Sequence, residues 1–229
     1  MDYMIRSTAS AEDFVKKATD TLVTYADLCI GKYGHCILGL AGGNTPKPIY
    51  TALGKADLDW SNVSIFLTDE RYIDAEDPDS NQNMVRETLL KNAKIPEENI
   101  IFPDTSLPLD ECMSDYEVRL ATLLSRGIPH IVTLGMGDDG HITSLFPPLE
   151  DAAFGDHLVI HTQTDHFAVK DRISTTMVVL LSAQIKLFLL SGKSKKVVWE
   201  EMETAEFDPY RYPAQAVLKI GGAEVITNF

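Results

Sequence analysis

The sequence is poor in cysteine and in basic residues, and both shortages limit what the protein can be. Three cysteines, Cys29, Cys36 and Cys112, stand among 229 residues, and no two of them have C-x-x-C spacing. An odd number without that spacing indicates neither a disulfide framework nor a zinc ribbon, so we expect reduced thiols. Lysine and arginine number 20 against 34 aspartate and glutamate residues, giving a formal net charge of −14. This charge repels polyanions, so we expect no nucleic-acid partner, whereas a small anion can still bind where basic groups are local.

Long apolar runs and targeting signals are also missing. The longest weakly polar stretch, 173–192, carries Gln184 and Lys186 and is more typical of core strands and helices than of a membrane span. The N-terminal segment has Asp2 and no apolar h-region, which argues against a secretory signal. We therefore expect a cytoplasmic protein that does not use a membrane.

What the sequence does contain is a repeated alternation of short apolar runs with amphipathic segments. This alternation predicts an α/β fold, a three-layer, mostly parallel Rossmann-like sheet with helices on both faces. The length suits a single domain over 1–229, and we expect a small subdomain within 148–175, where the pattern blurs. The apolar runs are 35–40, 63–67, 128–134 and 185–190, and the helical patterns are 10–29, 46–53, 81–92, 110–126 and 193–204.

Three polar loops follow predicted strands, at 41–46, 68–72 and 135–141. In an open parallel sheet, ligands bind in the crevice beyond the carboxyl ends of the strands. We therefore expect the three loops to converge on one site.

The first loop has a clear use for an anion. Gly42 and Gly43 allow the backbone to approach a bound group, while the amides of Asn44 and Thr45 precede a helix whose dipole favours negative charge. This pattern suits a phosphate monoester. The competing interpretation is an ordinary strand-to-helix turn with glycines for packing.

The second loop combines acids with one base. Arg71 can bind a phosphate or a substrate oxyanion through its planar fork, with Asp69 or Glu70 orienting it or a hydroxyl. A salt-bridged turn is the competing interpretation. Further along, Arg172 and Lys195 are additional candidates for an anion, although lysines at a helix start also form ordinary solvated faces.

The third loop, 135–140, matches the G-x-G-x-x-G spacing of a dinucleotide-binding turn. Asp138 and Asp139 would stand beside the pyrophosphate, and Pro147 and Pro148 would cut short any helix begun at Gly140. We therefore interpret this match as coincidence.

The same loop also presents an acid close to an imidazole. A carboxylate such as Asp139 fixes the tautomer of a neighbouring imidazole and stabilises its protonated form, which suits His141 to proton transfer. The alternative is a structural role for both residues, with Asp139 capping the turn.

Taken jointly, the three loops resemble the 6-phosphogluconolactonase family, which shares its architecture with glucosamine-6-phosphate deaminase and ribose-5-phosphate isomerase. The matching segments are Gly42-Gly43-Asn44-Thr45-Pro46, Thr68-Asp69-Glu70-Arg71 with Ser80-Asn81, and Leu134 to Pro147, which contains Asp-Gly-His141. Weaker similarity extends through Arg172 and Lys195 to Tyr212-Pro213-Ala214. One departure is Asn44, where the family usually has serine, although an amide can still donate to a phosphate oxygen.

The resemblance implies hydrolysis of 6-phospho-D-glucono-1,5-lactone to 6-phosphogluconate without a metal or an organic cofactor. His141 would be the general base, with Asp139, or else Asp69, orienting the imidazole or a sugar hydroxyl. The 42–45 loop, Arg172 and Lys195 would hold the phosphate, and Arg71 would serve either the phosphate or the developing oxyanion.

Two other functions remain open at this point. An aminosugar-phosphate deaminase or isomerase would need a carboxylate-bearing F-N-E-P-like segment after His141, and 143–147 contains no acid. A noncatalytic sugar-phosphate sensor would carry an N-terminal DNA-binding module or a basic segment, whereas only about thirty residues precede the first predicted strand and the net charge of the chain is strongly negative.

Overall fold

The computed structural model describes residues 3–229, and its elements alternate as the sequence pattern predicts. Ten strands and seven helices follow one another along these residues, and a π-helical turn, Arg86–Leu90, extends α3. In chain order they are β1 Met4–Ser7, α1 Ala11–Tyr33, β2 Cys36–Leu40, α2 Lys47–Leu53, β3 Val63–Leu67, β4 Asp69–Arg71, α3 Asn81–Val85, β5 Ile100–Ile101, α4 Leu109–Leu124, β6 Ile131–Leu134, β7 Val159–Gln163, β8 Asp171–Thr175, α5 Met177–Ser182, β9 Ile185–Ser191, α6 Lys193–Thr204, α7 Pro213–Lys219 and β10 Ala223–Asn228.

Seven strands form one parallel sheet in the order β1-β10-β9-β6-β2-β3-β5. Successive side chains of a strand point to opposite faces, so Ile37 and Leu38 of β2 enter two different apolar clusters. One cluster holds Tyr116 of α4 and Trp199 of α6, and the other holds Leu22 of α1. The predicted three-layer fold with helices on both faces is therefore confirmed.

The first helix shows how closely local chemistry fixes these elements. Ser10 is extended and accepts a hydrogen bond from the backbone N–H of Asp13, which satisfies one of the donors that a helix start leaves unpaired. The buried residues of α1 recur at helical spacing along one face and are Phe14, Ala18, Leu22, Ala26 and Cys29. Burial of this stripe holds α1 on the sheet.

A second, antiparallel sheet joins the region where the sequence pattern blurs. Its order is β4-β8-β7, so two of its strands come from 148–175 and the third follows β3 directly. Whether this region is a separate subdomain of a single 1–229 domain stays a prediction. No helix within 3–229 combines the length and the apolar character that a bilayer crossing needs.

Candidate active site

A cavity of about 650 Å³ opens at the carboxyl ends of β2, β3 and β6, where the three predicted loops meet. Ten residues that the sequence offered as site candidates line it: Gly42, Gly43, Asn44, Thr45, Asp69, Arg71, Asp139, His141, Arg172 and Lys195. The loop after β6 is not followed directly by a helix; it contains a short Ile142–Leu145 bridge. The dinucleotide interpretation therefore lacks the helix start on which a pyrophosphate would rest.

His141 and Asp139 form a close pair on one wall of this cavity. The imidazole Nδ1 lies 2.5 Å from Asp139 Oδ1, and the same oxygen accepts a bond from the backbone N–H of His141 at 3.2 Å. Burial opposes ionisation of Asp139, but the bonds from His141 outweigh it and hold the pKa of that carboxyl at about 2. Asp139 is therefore an anion at neutral pH, and it fixes the proton of the imidazole on Nδ1, leaving Nε2 free to accept one.

Gly137 makes room for this pair. A Cβ at this position would lie 2.1 Å from Nδ1 of His141 and 2.5 Å from Oδ1 of Asp139, far inside van der Waals contact. The backbone of Gly137 also donates to the carbonyl of His141 at 2.8 Å. At Gly137, the glycine that matches a nucleotide-binding fingerprint instead allows the backbone to approach the His141–Asp139 pair closely.

Two arginines face the cavity side by side. Arg71 of β4 and Arg172 of β8 are cross-strand partners in the small sheet, so their side chains leave the same face. Burial and then the charge of Arg71 lower the pKa of Arg172. Arg71 Nη1 donates to the carbonyl of Asp79, while its Nε is buried without a hydrogen-bond partner among the described residues. Two adjacent like charges with an unsatisfied donor form a site that an anion would stabilise.

Asp69 is held away from the imidazole by its own partner. Its Oδ2 accepts a 2.6 Å bond from the hydroxyl of Ser144, and its backbone carbonyl accepts from the amide of Asn81. Asn81 also fills the space beside Gly42, where an added Cβ would lie 2.1 Å from the Asn81 amide oxygen. Asp139 rather than Asp69 is therefore the residue that orients His141 in this structure.

Glu70, the other acid of that loop, points into the protein. It is fully buried and accepts bonds from the backbone N–H groups of Arg71, Asn81 and Gln82. Burial raises its pKa to about 7, against the pull of these donors. Its role is to tie β4 to the start of α3, not to contact the cavity.

Lys195 lies at the rim of the cavity and is already paired. Its Nζ is 2.7 Å from Asp138 Oδ1, and this bond, more than the opposing burial, lowers the pKa of Asp138. The lysine can therefore reach an anion only by exchanging this partner. Asn44 is exposed on the opposite loop.

Several cavity contacts were not predicted from the sequence. Phe146 packs against His141 with ring centroids 4.8 Å apart, and Phe167 meets the same imidazole edge to face at 5.7 Å. His166 lines the cavity as well. Arg211 is not among the residues that line the cavity, but its Nη1 donates to the backbone carbonyl of Asp139 at 2.8 Å. The one signal for Phe167 is that an aromatic residue stands in a polar loop segment between two strands.

Comparison with known proteins decides the family. The family described as glucosamine-6-phosphate isomerases/6-phosphogluconolactonase matches residues 9–226. The chain belongs to this family. A probable 6-phosphogluconolactonase of Dictyostelium discoideum is 44% identical over 197 residues, covering 82% of this chain and 82% of that protein. A 6-phosphogluconolactonase of Synechocystis is 34% identical over 209 residues, covering 89% of this chain and 86% of the relative.

Solved structures of the glucosamine-6-phosphate isomerase/6-phosphogluconolactonase family have the same fold. The 6-phosphogluconolactonase of Thermotoga maritima superposes with a TM-score of 0.87 at 26% identity, covering 99% of each chain. The motif resemblance is therefore confirmed, and the family's shared architecture accounts for the convergence of the three loops.

Proposed function

We propose that this protein hydrolyses 6-phospho-D-glucono-1,5-lactone to 6-phospho-D-gluconate in the oxidative pentose phosphate pathway. The named activity of its relatives supports this substrate. The observation that carries the proposal is that one cavity holds both a His141–Asp139 dyad and the Arg71–Arg172 pair. A lactone phosphate needs such a site, with a base for water at one end and an anion site at the other. We also propose a cytoplasmic location, in keeping with free thiols at Cys29, Cys36 and Cys112.

His141 acts as the general base in this proposal. Nε2 takes a proton from a water molecule as the water oxygen attacks the lactone carbonyl, and the carbonyl oxygen becomes an oxyanion. Collapse of the tetrahedral intermediate breaks the bond from the carbonyl carbon to the ring oxygen, which receives the proton from His141. The products are a free hydroxyl and a carboxylic acid, and the acid ionises and releases one proton to solvent.

Asp139 supports both halves of this cycle. As an anion hydrogen-bonded to Nδ1, it keeps the accepting lone pair on Nε2 and stabilises the imidazolium that forms between the two proton transfers. The proposed steps need neither a metal ion nor an organic cofactor, because one imidazole carries the proton in both directions.

The arginine pair anchors the phosphate at the other end. Arg172 is buried at the cavity wall, and an arriving dianion would relieve its repulsion with Arg71. The backbone of the loop 42–45 adds to this contact. Because α2 has only seven residues, the positive end of its dipole contributes less to phosphate binding than the two arginine charges do. Holding the phosphate fixes the carbonyl relative to His141, which converts hydrolysis into an oriented reaction.

The test is a pH-stat assay with freshly generated lactone, corrected for spontaneous hydrolysis. His141→Ala should lower kcat by about a hundredfold or more, because general acid–base catalysis contributes roughly that factor. His157→Ala is the matched control, since this histidine is exposed and pairs with Glu117 away from the cavity. Near-normal turnover by the His141 variant would contradict its role as base. Release of ammonia from glucosamine-6-phosphate by the wild type, with no lactone hydrolysis, would instead favour the deaminase activity.

A further inference from the structure

An aromatic ring stands between the proposed base and the proposed anion site. The ring centroid of Phe167 is 5.7 Å from that of His141, at an interplanar angle of 83°. The guanidinium carbon of Arg172 is 5.5 Å from the same ring. Phe146, which packs on His141, lies 6.0 Å from Phe167 and completes an apolar wall. One side chain thus contacts both ends of the proposed reaction site.

The position of Phe167 is not explained by core packing. Phe167 lies in the loop between β7 and β8, lines the cavity and is 44% exposed. The loop is braced at its base, where Thr164 N–H donates to the carbonyl of Lys170 at 3.1 Å. Arg172 itself donates from Nε to the carbonyl of Val169 at 3.0 Å. These hydrogen bonds hold the loop so that the ring lines the cavity, although part of its apolar surface stays exposed to solvent.

We propose that Phe167 contacts the carbon skeleton of the substrate and determines affinity for a phosphorylated sugar ring. This inference rests on the proposed function. When the carbonyl lies at His141 and the phosphate at Arg172, the carbons between them must pass along the aromatic ring. Hydrogens on sugar carbons form apolar patches, and an aromatic face in a partly dehydrated cleft stabilises such patches by contact. Phe167 would thus bind the part of the ligand that neither charged group can recognise.

A second role for the ring makes a different prediction. If Phe167 served mainly to keep water from the His141–Asp139 dyad, its removal would alter the protonation of the imidazole. The pH at which kcat rises would then shift, and kcat itself would fall. Contact with the carbon skeleton, in contrast, raises KM and leaves the pH profile of kcat in place.

The experiment compares Phe167→Ala and Phe167→Leu with the wild type in the pH-stat lactone assay. The alanine variant should raise KM about tenfold, which is the loss of roughly 1.4 kcal/mol expected for an aromatic contact, while kcat stays within about threefold. Leucine keeps most of the apolar area and should raise KM less than about threefold. Phe207→Ala is the control, because Phe207 is 50% exposed and packs on Lys219 outside the cavity.

Two binding measurements separate the inference from the proposed function. In calorimetry, 6-phosphogluconate should bind the Phe167→Ala variant about tenfold more weakly than wild type, whereas inorganic phosphate should bind both within about twofold. If the substitution weakened the binding of both ligands equally, Phe167 would act by positioning Arg172 and the inference would be overturned. An unchanged KM or a shifted pH profile of kcat would overturn it as well. If the wild type fails to hydrolyse the lactone, the proposed function is refuted, and the 6-phosphogluconate affinities still decide whether Phe167 contacts the carbon skeleton.

Discussion

A single methyl group at Gly137 should disable the dyad without unfolding the protein. The added Cβ of Gly137→Ala would lie 2.1 Å from Nδ1 of His141 and 2.5 Å from Oδ1 of Asp139. The two side chains are themselves 2.5 Å apart, so neither can move toward the other to make room. The imidazole must therefore swing away from its orienting carboxylate.

The size of the effect follows from the displacement. Restoring an ordinary contact distance of at least 3.4 Å requires the ring to move by more than 1 Å, and a misplacement of about 1 Å already costs an oriented reaction roughly a hundredfold in rate. We therefore expect kcat to fall by about two orders of magnitude, equivalent to roughly 2.7 kcal/mol of transition-state stabilisation. KM should change little, because the arginine pair lies on other strands.

The assay measures kcat and KM by pH-stat and the midpoint of thermal unfolding by circular dichroism. Gly31→Ala is the matched control, since an added Cβ on that helical residue meets nothing within 4 Å and lies outside the cavity. Unchanged kcat in a folded Gly137→Ala variant would refute the reasoning, because the dyad geometry would then not limit the reaction.

Two further predictions concern groups outside the cavity. Burial and the nearby imidazole of His35 lower the pKa of His130 to about 4, so the unfolded chain binds its proton first and the contribution of this residue to stability should fall by about 3 kcal/mol as pH drops from 6.5 to 4. Relative to the wild type, His130→Asn should lose less urea-derived stability over that window, His157→Asn should follow the wild type, and equal slopes in both variants would contradict the assignment. Arg211→Met removes the bond to the Asp139 carbonyl and should lower kcat about tenfold in the lactone assay. Full activity in this variant would show that the carbonyl contact is dispensable.

Much of the fold was predictable because it depends on local patterns. The apolar runs 63–67 and 185–190 form buried strands, and the amphipathic pattern at 10–29 forms most of helix α1. The missed strands depend on distant partners instead. β1 has an exposed, weakly patterned sequence and pairs with β10 more than 200 residues later. The charged sequence of β4 predicts a turn, because nothing in the neighbouring sequence indicates that it pairs with β8.

The candidate site was likewise predictable only in part. Eight of its ten residues lie on the three loops and were found because strand ends in a parallel sheet converge by topology, whereas Arg172 and Lys195 were proposed as basic residues that the family resemblance supports. Which acid orients His141 could not be settled, since the answer depends on the hydroxyl of Ser144 occupying Asp69. Phe167 and Arg211 were missed for a comparable reason: their contacts join segments whose relative placement is set only by the folded chain.

The order of strands in the large sheet also constrains how the protein is made. Among the described residues 3–229, β10 is the last strand in sequence, yet it lies between β1 and β9 and is the one strand that pairs with β1. On a ribosome, β1 must therefore wait with exposed edge groups until β10, more than 200 residues later in the sequence, has emerged. Pairing between β1 and β10 is therefore a late step of co-translational assembly.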